Sequence, residues 1–168
     1  SQLLRDMLVI SDELATTNLL TYIRQSGLDI NATLSQWGAA DVNVFKRTAP
    51  LEEIATLFAG LYNGDLVSPE ARRIILDLMA EHTPNDDTRL GLLMSLLPDG
   101  REFYNKRGTI TDERLVLGEA AIVVWPSENG QRAYVIVIFG YPGKENTNDL
   151  KLAIGIEQAA RAFWEFAK

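Results

Sequence analysis

The chain has 168 residues, 46% apolar and 23% charged, which excludes disordered and fibrous classes and is long enough for a core without covalent staples. With no cysteine and a single histidine, it cannot build a disulfide scaffold, a thiolate zinc site, a cysteine nucleophile or a site needing two histidines, and no metal or cofactor is expected. Sixteen Lys and Arg against twenty-three Asp and Glu leave a net charge of −7, the wrong sign for nucleic acid or anionic lipid, and no apolar run approaches the roughly 20 residues of a membrane helix.

Leu3, Leu4, Met7 and Leu8 recur at helical spacing, so the chain opens inside a helix. A second helical pattern runs over 11–25 through Leu14, Leu19, Leu20 and Ile23, and Gly27 marks its stop. Residues 26–47 hold no sustained period and read as a short helix over 32–36 followed by a loop to Arg47. Thr48, with Pro50 in the first turn, opens a helix over 51–62 that Asn63-Gly64 closes. Ser68 caps and Pro69 starts the next, which carries Ile74, Ile75, Leu78 and Met79 and stops at His82-Thr83-Pro84.

After a helix over 88–96 and the turn Pro98-Asp99-Gly100, the period changes from helical to strand-like. Strands are predicted over 102–106, 115–125 and 133–139, the last two joined through Glu128-Asn129-Gly130. Near-continuous apolar runs in the last two suggest strands covered on both faces. A final helix over 149–167, capped by Asn148, carries Leu152, Ile156, Ala159 and Phe163 as the face that covers the sheet. Trp37, Trp125 and Trp164 read as anchors in or near the core, with Trp164 or Phe166 available to face solvent. The expected architecture is α+β, a single domain over 1–168 that is mainly helical to residue 100, with sheet and helix beyond.

Two stretches carry chemistry. Met7-Leu8-Val9-Ile10-Ser11-Asp12-Glu13-Leu14-Ala15-Thr16 resembles the helix junction bearing the Ser-Asp-Asn motif of class A serine β-lactamases and penicillin-binding proteins. Phe103-Tyr104-Asn105-Lys106-Arg107-Gly108-Thr109 resembles that family's Lys-Thr-Gly edge strand, and the 95-residue interval from Ser11 to Lys106 is close to the family's own. The resemblance covers the whole chain but only the second part of the family. It implies a β-lactamase/transpeptidase-like fold, incomplete relative to the family, and attack of a serine on a β-lactam or peptide-like small molecule. It further implies that Ser11 relays a proton to the leaving nitrogen and that Lys106 holds this hydroxyl and the substrate carboxylate. Thr109 would offer its N–H to the oxyanion, and Gly108 would let the strand approach the substrate.

The departures from that pattern are specific. No serine of this chain is followed by lysine three residues later, so the nucleophile motif is missing, and an upstream truncation is the simplest expectation. Glu13 stands where the family's asparagine binds a substrate amide, losing a donor and adding a charge. Arg107 replaces a hydroxyl residue and would reach a carboxylate from a longer stem. The loop over 37–48 holds no glutamate to activate a deacylating water, Asp41 being its only acid.

Each motif also has a plainer meaning. Ser11 before two acids is what a helix cap looks like, Lys106-Arg107-Gly108 what a solvated strand end looks like, Asp41 what a solvated loop acid looks like, and His82 after Glu81 suits a helix terminus. The expectation is therefore part of a β-lactamase-like serine hydrolase, unable to acylate alone. The alternatives are a non-catalytic binding or interaction module on the same fold, or an unrelated α+β domain. In the family two strands that precede this stretch pair beside the last strand. Residues 133–139 are thus expected to be covered by a second copy, as a homodimer, or by a companion N-terminal fragment. The family works outside the cytoplasm, which makes a periplasmic or extracellular location the expectation.

Overall fold

The computed structural model describes residues 2–81, 90–110, 116–128, 130–141 and 149–167, with backbone only for 91–93, 149–153 and 166–167. Its contacts gather into two compact units, Ser1–His82 and Thr83–Lys168.

The first unit holds helices α1 (Gln2–Val9), α2 (Glu13–Gln25), α3 (Ile30–Gln36), α4 (Leu51–Asn63) and α5 (Pro69–Ala80). Short polar side chains start three of them. Asp12 accepts the Ala15 N–H at 2.5 Å, Asp29 that of Ala32 at 3.1 Å, and Ser68 that of Ala71 at 3.3 Å, each satisfying an amide the helix leaves unpaired. The second helix thus begins at residue 13 rather than 11, and the third at 30 rather than 32, because Asp12 and Asp29 are the caps. Thr48 is not the cap of α4. It exchanges backbone hydrogen bonds with Asn43, and Pro50 takes the cap position with no side-chain bond. At the far end of α4, Arg72 of α5 donates Nε to the carbonyls of Leu61 (3.1 Å) and Tyr62 (2.7 Å). α1 lies against α2 and α5, and α4 against α5. Ala15, Leu34, Ala39, Leu76 and Met79 are buried between them.

The second unit holds α6 (Gly91–Leu96), strands β1 (Glu102–Ile110), β2 (Val116–Ser127) and β3 (Gly130–Gly140), and α7 (Asp149–Ala167). The sheet is antiparallel in the order β1-β2-β3. β2 is buried from Leu117 to Trp125, as a central strand with covered faces must be. β3 departs from the covered-face prediction, since Ile136 is its one buried residue, and it lies at the edge of the described sheet. All three strands run further than the sequence suggested. β1 continues past Lys106 to Ile110 because its ladder carries on through Gly108↔Gly118 to Ile110↔Val116. β2 and β3 extend to a Ser127↔Gly130 pair at the hairpin, where Ser127 Oγ donates to the Gly130 carbonyl at 2.7 Å. Gly118 is required for a reason of space: a Cβ there would lie 2.8 Å from the Phe139 ring.

α7 buries Ile156, Ala160 and Trp164, a row spaced by four; of the expected face Ile156 is buried, Ala159 and Phe163 are exposed, and the Leu152 side chain falls outside the described residues. The Trp164 ring sets this rotation by meeting Trp125 edge-on with centroids 5.3 Å apart, and it leaves Phe163 42% exposed. Leu90, Leu97, Phe103 and Val123 complete that core. The predictions for His82 to Pro84, the start at Thr88, Leu115, Asn129 and the Asn148 cap fall outside the described residues.

Candidate active site

Ser11 occupies the corner between α1 and α2, exposed, with φ at +57°. That left-handed conformation costs a non-glycine residue on the order of 1–3 kcal/mol and persists only where neighbours enforce it. The enforcing contacts are local: the Asp12 N–H folds back 3.0 Å onto the Asp6 carbonyl of α1, while its carboxylate caps α2. The cap reading of Ser11 is therefore superseded, because the residue after it does the capping.

Glu13 opens the first turn of α2, and its carboxylate pairs with Arg47 at 2.6 Å. Arg47 was not singled out from the sequence, and it is the second non-glycine residue with positive φ, at +53°. The loop that carries it is braced on several sides. Asn43 Oδ1 accepts the amides of Phe45 (3.1 Å) and Lys46 (2.9 Å). Glu53, in the first turn of α4, accepts those of Asp41 (2.9 Å) and Val42 (3.1 Å). The Arg24 guanidinium lies 4.4 Å over the Phe45 ring. Asp41 thus lends this loop a backbone donor, and the carboxylate that organises it is Glu53. The sequence signal for Arg47 was present: a basic residue at the end of the loop that lacks the glutamate.

Lys106, Arg107, Gly108 and Thr109 all lie within β1, which pairs on one side with β2. Strand alternation puts Lys106 and Gly108 on one face and Arg107 and Thr109 on the other, with Phe103 and Asn105. Lys106 Nζ donates to the Arg107 carbonyl at 3.1 Å, which holds the ammonium along its own strand. A Cβ at Gly108 would meet nothing within 4 Å, so the strand surface is open there. Behind the motif, Glu119 is 1% exposed and stands opposite Arg107 in register. Its carboxylate accepts the Leu90 N–H at 3.0 Å and the Asn105 side-chain amide. The sequence reading passed over this buried polar pair, which adjoins Lys106.

Ser11 and Glu13 stand in the first unit, and the four β1 residues in the second. A shallow recess of about 530 Å³ opens at the hairpin end of the sheet, lined by Leu96, Pro98, Trp125, Ser127, Glu128, Arg132 and Trp164 and by none of the predicted site residues. Beside it the Tyr134 hydroxyl is buried with no hydrogen-bond partner among the described residues, and burial pushes it up to about 12. Among the described residues no group of three or more acids and histidines could hold a metal, and no helix is long and apolar enough to cross a membrane.

The family described as the beta-lactamase enzyme family matches residues 1–167. Among solved structures the chain is similar to PBP-A, at 24% identity and a TM-score of 0.66, covering 98% of this chain and 61% of that one. A PBP-A variant solved as an acyl-enzyme complex with penicillin G is similar at 25% identity and 0.65, with the same coverage. The TLA-3 extended-spectrum beta-lactamase is similar at 18% identity and 0.71, covering 99% of this chain and 63% of that one. The chain therefore spans about three fifths of the length of these structures. No curated protein sequence matches it.

Proposed function

The chain belongs to the beta-lactamase enzyme family, and from that premise we propose that it is part of a serine hydrolase acting on β-lactams or related amides and esters by an acyl-enzyme route. The nucleophilic serine is carried by a segment outside this sequence. Ser11 passes a proton to the leaving nitrogen, and Lys106 holds that hydroxyl and the substrate carboxylate electrostatically. The Thr109 N–H serves the oxyanion, the open surface at Gly108 admits the substrate against β1, Arg107 contributes charge for a carboxylate, and Glu13 lies at the amide-reading position. The observation that carries this reading is the family match over 1–167, joined to the strained corner at Ser11. Strain of that kind gathers where a ligand is held.

A second reading, a non-catalytic binding module on the same fold, is favoured by two features. No Ser-x-x-Lys occurs in the sequence, and the Glu13 carboxylate is engaged by Arg47. In either case β3, an apolar strand at the edge of the described sheet, is the surface for a second copy or a companion segment. Light scattering that returns a lone monomer with no companion peptide would remove that partner.

Denaturing intact-mass spectrometry after incubation with excess penicillin G separates the readings. Ring opening expels nothing, so acylation adds the whole mass of the penicillin. A companion fragment bearing that increment supports the hydrolase. A single unmodified chain carries no working nucleophile and leaves either an inert part of the hydrolase or the binding module, which the upstream coding sequence then tells apart.

A further inference from the structure

β1 carries Lys106 to Thr109 on its weakly packed half. Its first half is anchored by Phe103, buried in the core of the second unit, but from Lys106 to Ile110 no residue is buried, and Gly108 and Thr109 are exposed. Among the described strands β1 pairs on one side only. Gly108 has no side chain to pack, and an edge segment with so little buried surface opens locally at small free-energy cost. The last buried residue before this half is Asn105, and it is polar.

The Asn105 side chain is held by one bond. Its Nδ2 donates to the Glu119 carboxylate, and its Oδ1 has no partner among the described residues, so the amide is tied down through Glu119. Glu119 is 1% exposed and is the one ionisable residue in the buried stretch of β2 from Leu117 to Trp125. Its other oxygen accepts the N–H of Leu90, the residue before α6, at 3.0 Å. Desolvating a carboxylate commonly costs more than such bonds return, and an apolar pair of similar volume often serves global stability as well or better. What a carboxylate adds is direction, because its two oxygens take one donor from β1 and one from residue 90. The strand beside Lys106 is thereby fastened to a point outside the sheet.

We infer that Glu119 is a positioning residue for Lys106 to Thr109, acting through Asn105 to stop the exposed half of β1 from fraying off β2. Its use to a ligand rests on the reading of that stretch as part of a ligand site, whereas the fastening is a property of the free chain.

Hydrogen exchange followed by NMR on the whole chain tests it without any ligand, so the outcome does not depend on whether the chain binds a β-lactam. In Asn105→Val/Glu119→Gln the glutamine oxygen still accepts the Leu90 N–H, and the tie to β1 is cut. In Asn105→Asp/Glu119→Gln the glutamine amide donates to the new carboxylate, and the tie is restored with the charge moved to β1. The cut variant should lose protection about tenfold at those Lys106 to Thr109 amides that bond to β2, relative to the β2–β3 ladder, the scale of one hydrogen bond to a charged group. The restored variant should return them to within about threefold of wild type. Equal loss in both ladders, or a cut chain that does not fold, would make the pair a device for global stability and overturn the inference. Unchanged protection at Lys106 to Thr109 in the cut variant, or a restored variant that frays as the cut one does, would overturn it too.

Discussion

At the α1/α2 corner the notable side chains are exposed and held by polar contacts, Glu13 by Arg47 and the loop amides by Glu53. β1 is held differently, by an unbroken ladder from Glu102 to Ile110 against a strand buried from Leu117 to Trp125. The corner sets its geometry by strain and by side-chain bonds that solvent can compete for. The strand does so by packing, with Gly118 and Phe139 fitted together and Glu119 tying β1 to Leu90. The comparison teaches that orientation can be imposed where burial is scarce, provided several short-range bonds converge on one loop.

The largest effect should come from breaking the packed side. Ile122→Ala removes a fully buried side chain of β2 and is expected to cost about 3 kcal/mol, read as a lower denaturant midpoint at constant slope. A loss under about 1 kcal/mol would mean that β2 is not the core strand of the sheet. Gly118→Ala drives a methyl against the Phe139 ring, 2.8 Å away, and should cost roughly 1–3 kcal/mol. Trimming that ring by Phe139→Leu in the same chain should recover part of the loss, so strict additivity of the two changes would refute the contact.

The corner responds on a smaller scale and in both directions. Asp12→Ala deletes the cap of α2 and should cost about 1 kcal/mol. Ser11→Gly relieves the left-handed strain and should stabilise by up to about 1 kcal/mol. Urea titrations that returned the same sign for both would collapse the distinction between cap and strained residue.

Tyr134→Phe should have the smallest effect near neutrality, because it removes a hydroxyl that has no described partner. Its signature lies in alkali. The folded phenol is raised from 10.0 to about 12, so the unfolded chain releases this proton first, and stability falls as pH rises from 10 towards 12 and is flat below. The variant should lose that slope, and an unchanged profile between pH 8 and 12 would count against the buried hydroxyl.

Much of the fold was legible because its signals are local. Ser68 and Pro69 mark a helix start through one amide and one fixed φ, the hairpin announces itself in its turn residues, and the apolar run of β2 follows from burial on both faces. The strand ends were not legible, since Arg107 to Ile110 become strand only through partners on β2. In the same way, the rotation of α7 depends on where the Trp164 ring meets Trp125.

The site divides along the same line. The stretches over 7–16 and 103–109 carried a likeness to a family, and Ser11, Lys106, Gly108 and Thr109 became candidates only through that likeness. Arg47 could not be tied to Glu13 from the sequence, because 34 positions separate the two and a loop conformation held by Asn43 and Glu53 brings them together. Asn105 and Glu119 lie on different strands, and only the register shows that they meet under Lys106. Periodicity, capping and turn chemistry act within a few residues, so the sequence by itself determined the order and type of the elements. Which charges meet, which residue is strained and which face of a helix is buried depend on contacts between distant segments, and these the tertiary structure alone decided.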